Sequence, residues 1–100
     1  MKPVIEFENM TALRREIDRL DSQIVTLFAR RAALIGRAVE LKPHEGLPAR
    51  INSRVDEVIN NVRSVATHQG ADPELVETLW RAVIDWSIKE EEKTLGASSV

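Results

Sequence analysis

Apolar residues recur at helical spacing along the whole chain, and no segment alternates as a half-buried strand would. Leu13, Ile17, Leu20, Ile24 and Leu27 step by four, three, four and three, and the series continues through Arg31, Leu34, Ala38 and Leu41. Ile51, Val55, Val58, Val62 and Val65 form a second stripe. In a third stretch Val76, Leu79, Val83 and Trp86 face one way, with Trp80 and Ile84 beside them. Pro43, Gly46 and Pro48, then Gly70 and Pro73, then Gly96 break the pattern. The periodicity and its breaks predict three helices, at roughly 9–42, 50–68 and 73–95.

End signals agree with these limits. Asn9 or Thr11 is placed to cap the first helix, and Lys42 precedes Pro43, which disfavours further helix. Gly36 is its weak point, costing about 1 kcal/mol relative to Ala. Ser53 with Asp56 reads as a capping pair for the second helix. Asp72-Pro73-Glu74 supplies an N-cap, a proline at the first helical position and an acid near the positive helix end. Gly96 closes the third helix and leaves Ala97 to Val100 as a frayed tail.

Composition narrows the class. One hundred residues, 43% hydrophobic and 30% charged, make a single all-α domain over 1–100. A formal charge of −2 argues against a nucleic-acid footprint. The absence of Cys excludes disulfides and thiol catalysis. No apolar run approaches the ~18 residues of a membrane span, and the first residues lack the apolar core of a signal peptide. The expectation is a soluble cytoplasmic protein.

Length alone makes the first helix informative. Thirty-four residues would form a rod of ~51 Å, against a radius of gyration near ~13 Å for a compact chain of this size. Its stripe needs a partner, most simply a second copy, so a helical homodimer is expected.

Several cations interrupt the apolar pattern. Arg31 takes a stripe position where Leu would be expected; burying a guanidinium is costly unless an anion meets it, and the plain alternatives to a bound ligand are a structural ion pair or a side chain that reaches water. Lys42 lies eleven residues on, at the same rotational position and ~16 Å along the axis. Alone it is an ordinary helix-end lysine; with Arg31 it suits a small dianion. Arg14 is too distant to share that ligand within one chain, but an antiparallel dimer would bring it to Arg31 of the other copy. Arg54 sits beside the second stripe. Ser87 and Glu91 extend the Trp80–Ile84 row, either as fading amphipathicity or as the polar wall of a pocket. His44 and His68 lack supporting carboxylates for a metal site, and no phosphate loop or nucleophile elbow is present. Cations around an apolar helical core suit a dicarboxylate and a reaction without a covalent catalyst.

Ala12-Leu13-Arg14-Arg15-Glu16-Ile17-Asp18-Arg19-Leu20-Asp21 resembles the opening of the all-helical chorismate mutases, as does Leu27-Phe28-Ala29-Arg30-Arg31 followed by Lys42. The likeness extends over roughly Met10 to Leu95. It implies an intertwined homodimer and a cofactor-free rearrangement of chorismate to prephenate. Arg31, and Arg14 from the opposite subunit, would then bind the substrate carboxylates. Lys42 would contact a carboxylate and the ether oxygen whose bond breaks. Arg54 matches a second-helix Arg near the site, and Ser87 a polar residue close to a carboxylate.

Two positions depart from that pattern. Val55 stands where many members have Glu meeting the ring hydroxyl. Glu91 stands where many have Gln donating to the ether oxygen, so Glu91 would serve as donor only when protonated. The isochorismate pyruvate lyase branch, which yields salicylate and pyruvate, also has a small apolar residue at the Val55 position. It shares the look of Leu47-Pro48-Ala49 and a Trp near Trp86, but it generally keeps Gln at the Glu91 position. The sequence thus predicts a mutase, with the lyase as alternative. A reading of another class, an inactive helical dimerisation or regulatory module, would take Val55 and Glu91 as signs of site decay.

Overall fold

A computed structural model describes residues 1–100 in full. The chain is all-helical. There are three helices, α1 (Met10–Leu41), α2 (Asn52–Gln69) and α3 (Pro73–Leu95); one 3-10 turn, Val4–Glu6, precedes α1 and another, Lys42–Glu45, follows it, and the sole β-type pairing is an isolated parallel bridge between Arg50 and Ser99. Two compact units divide the chain, Met1–Ala33 and Leu34–Val100.

In the first unit, Asn9 rather than Thr11 opens α1: its side-chain oxygen accepts from the Ala12 N–H at 2.9 Å. That satisfies one of the donors a helix start leaves without a partner. The Lys2 ammonium lies 4.7 Å from the centre of the Phe7 ring, a cation–π contact that pins the segment before the helix. Glu16 and Arg19 pair one turn apart. The Arg19 guanidinium holds the Glu16 carboxyl below the usual range, and Glu16 in turn raises Arg19. No residue of α1 is buried within the chain.

The second unit begins with the last turns of α1. The helix ends at Leu41, one residue before the predicted limit, because Lys42 precedes a proline. The backbone tightens there into the 3-10 turn, which Gly46 closes at φ 68°, and the Leu47 N–H returns to the Lys42 carbonyl at 2.9 Å. The left-handed conformation at Gly46 is one that a Cβ disfavours.

The predicted start of α2 needs correction. Ser53 and Asp56 do not cap it: Ile51 stands at the N-cap and offers no side-chain bond. The C-terminal end follows the expected rule, with left-handed Gly70 at φ 75° and the Ala71 N–H bonded to the Ala66 carbonyl at 2.8 Å. At the start of α3 the Asp72 carboxylate accepts from the Glu74 N–H at 2.9 Å.

The helices α2 and α3 pack on each other. Their core is Ala49, Ile59, Ile84 and Ile88, with Val55, Val58, Trp80 and Leu95 packed around it. Both stripes are rotated from their expected positions. On α2 the buried residues are Ile59 and Ala66, whereas Val65 is exposed. On α3 the buried line is Ile84, Ser87, Ile88 and Glu91, and Leu79 and Trp86 are about half exposed. The row that turns polar is therefore the one facing inward. Near the Gly70 turn Arg63 of α2 grips α3, bonding Glu77 at 2.8 Å and Glu74 at 3.0 Å, and Arg81 pairs with Glu77 at 2.8 Å. Arg81 and Arg63 together hold the Glu77 carboxyl below the usual range.

The tail after Gly96 is ordered rather than frayed. The Val100 N–H donates to the Arg50 carbonyl at 3.0 Å, and the Asn52 N–H donates to the Val100 carbonyl at 2.8 Å.

Candidate active site

The second unit holds a buried ion pair that unites three of its segments. Lys42, fixed in the turn after α1, extends its ammonium to Oε1 of Glu91 on α3 at 2.8 Å. The same Nζ donates to the Ala49 carbonyl in the loop before α2, also at 2.8 Å. Glu91 is 3% exposed, and its side chain lies in the line that α3 turns toward α2. A carboxylate so far from water requires a cation.

The pair is incomplete in a chemically useful way. Oε1 of Glu91 accepts no aligned hydrogen bond, so its contact with Lys42 is one of charge. An ammonium has three N–H donors, and the Ala49 carbonyl takes one of them. The Lys42–Glu91 pair can thus offer a donor to an anionic or ether oxygen without first breaking a saturated network.

Ser87 lies one turn before Glu91 on the same face of α3 and is equally buried. Its hydroxyl donates to the Val83 carbonyl at 2.9 Å. Arg54 is turned to solvent and pairs with Glu57 one turn on. Val55 packs against the core between α2 and α3. Its apolar character has a packing reason independent of any substrate. Arg14 is exposed and Arg31 partly buried, both on the part of α1 within the first unit. The Ala49 carbonyl is the one participant that sequence reasoning missed. A backbone acceptor leaves no side-chain signal; Pro48, which biases the local backbone, is the nearest hint. No group of three or more His, Asp or Glu side chains gathers to hold a metal.

The family model for chorismate mutase type II matches residues 13–92. The chain belongs to that family. The matched span contains Arg14, Arg31, Lys42, Arg54, Val55, Ser87 and Glu91. Among curated relatives, the T-protein of Enterobacter agglomerans is 33% identical over 82 residues, covering 82% of this chain and 22% of the relative. The T-protein of Haemophilus influenzae is 32% identical over 74 residues, covering 74% of this chain and 20% of the relative. The chain therefore spans about a fifth of the length of these relatives. These likenesses support the mutase side of the family and lend none to the isochorismate pyruvate lyase alternative.

Proposed function

We propose that this chain is a chorismate mutase, rearranging chorismate to prephenate without a cofactor. The observation that carries this reading is the buried Lys42–Glu91 pair, with the ammonium only partly satisfied, in a chain of the type II chorismate mutase family. The reaction is an isomerisation. One C–O bond breaks and one C–C bond forms within the same molecule, and no atom enters or leaves. The protein has two tasks. It must hold a flexible dianion in its reactive fold, and it must meet the charge that develops on the ether oxygen.

Lys42 performs the second task with a remaining N–H. Glu91, when protonated, donates to the same oxygen; otherwise it balances the ammonium in the ligand-free site. Arg31 and Arg14 of the partner subunit grip the two carboxylates, for which the bidentate guanidinium is suited. Ser87 donates to a carboxylate once its hydroxyl turns from the Val83 carbonyl, and Arg54, once released from Glu57, borders the ring with Val55.

The site so read is shared between two copies, and two observations support a homodimer. The α1 stripe is apolar yet wet, with Ile17, Ile24, Leu27 and Leu34 all exposed in the single chain. On α3 Leu75, Leu79 and Trp86 form a second exposed apolar row. Contiguous apolar surface of this kind marks an interface. Soluble function on chorismate in the cytoplasm follows from the same reading; no helix is long and apolar enough to cross a membrane.

The test is incubation of purified protein with chorismate and with isochorismate, with product identification by chromatography. Prephenate from chorismate is the expected product. Salicylate and pyruvate from isochorismate, with no prephenate, would replace the mutase by the lyase. No turnover of either, with a transition-state analogue also failing to bind, would leave the inactive helical module.

A further inference from the structure

The segment after α3 is placed to act on Lys42 without touching it. Gly96 ends α3 at φ 81°, a conformation that favours glycine, and the backbone beyond it reaches Arg50 and Asn52. There it does two things. It supplies the cap that the sequence of α2 lacks, since Ile51 offers no side-chain acceptor and the Asn52 N–H is met by the Val100 carbonyl. It also ties down the residue next to Ala49, because the Val100 N–H bonds the Arg50 carbonyl and Ser99 bridges Arg50 in parallel. Ala49 is 2% exposed, and its carbonyl fixes the Lys42 ammonium from the other side. One short stretch of backbone, 49–52, is thus held at one end by the lysine and at the other by the tail.

We infer that residues 97–100 are a positioning strap: by pairing with Arg50 and Asn52 they set the Ala49 carbonyl, and through it the direction of the Lys42 N–H groups. The role assigned to Lys42 rests on the mutase reading; the mechanical link does not. Loss of the strap leaves the α2–α3 core intact, since none of Ala49, Ile59, Ile84 and Ile88 lies in it. It frees the acceptor that aims the ammonium, and misaimed donors cost rate more than affinity.

The experiment uses Val100→Pro, which deletes the N–H given to Arg50, with Val100→Ala as the variant that keeps it. Val100→Pro is expected to lower kcat about tenfold with KM changed less than twofold, and Val100→Ala to match the wild type. In a Lys42→Ala background, Val100→Pro is expected to have no further effect on the residual rate. An unchanged kcat in Val100→Pro, or the same tenfold loss without Lys42, would overturn the strap. If the wild type makes no prephenate, the mutase reading fails, and the strap is judged by the nitrogen-15 signal of the Lys42 ammonium. That signal is expected to shift or broaden in Val100→Pro, and an unmoved signal overturns the inference.

Discussion

At the residue scale, Lys42 and Glu91 cannot be considered separately. Replacing Lys42 by Ala removes the donor proposed for the ether oxygen, and turnover of chorismate is expected to fall at least ~100-fold. The same change strands a carboxylate that is almost fully buried. Stability in urea is therefore expected to drop by about 3 kcal/mol. The double variant Lys42→Ala, Glu91→Gln removes both charges and is expected to recover most of that stability while remaining inactive. A double variant that is both stable and active would remove Lys42 from the chemistry. Arg31 offers a second test. A lysine keeps its charge but not the two-pronged geometry, so Arg31→Lys is expected to raise KM about tenfold; an unaltered KM would show that Arg31 holds no carboxylate.

At the scale of elements, the α2–α3 hairpin is held by its core and by the Arg63 clamp. Glu77 is the titrating member. Because its carboxyl is held below the usual range in the folded chain, the unfolded chain takes up a proton first as pH falls. Its contribution is fully present above the ordinary carboxylate range and disappears as pH falls through the lowered value. The melting temperature of the wild type is thus expected to fall more steeply on acidification than that of Glu77→Gln. Parallel curves would mean that the clamp is not thermodynamically coupled to folding. The Gly70 turn makes a separate prediction. Nothing lies within 4 Å of where a Cβ would stand, so Gly70→Ala is expected to cost only the left-handed strain, about 1 kcal/mol in urea unfolding.

The same hairpin shows how far periodicity reaches. Spacing locates α2 and α3 and their glycine and proline limits, but the core line on each is rotated from the apparent stripe. Ile59 and Ala66 are buried where Val65 was expected, and Ser87 and Glu91 are buried where Trp86 was expected. On α2 Val58 and Val65 adjoin Ile59 and Ala66, and on α3 Val83 and Trp86 adjoin Ile84 and Ser87, so apolar spacing alone does not rank one of these neighbouring lines above the other. The decision falls to the surface each helix meets.

At the scale of the whole molecule, the prediction is assembly. Sedimentation is expected to give twice the 11.3 kDa mass of the chain. A charge placed in the α1 stripe, as in Leu27→Glu, is expected to shift the protein toward monomer and to abolish turnover together, since Leu27 is 69% exposed in the single chain and has no internal reason to be apolar. A fully active monomer would overturn the shared site.

What the sequence determined by itself was local in cause. Helix number, the Asp72 cap, the halt before Pro43 and the glycine ends follow from backbone preferences written within a few residues. The family likeness was legible too, because it is carried by residues at fixed spacing along the chain. Tertiary structure alone decided that Glu91 meets Lys42 and that the tail caps α2. Those facts join residues far apart in the chain or depend on which helix face is covered. No short-range preference encodes either, and the decisive acceptors, the Ala49 and Val100 carbonyls, are backbone atoms that every residue possesses.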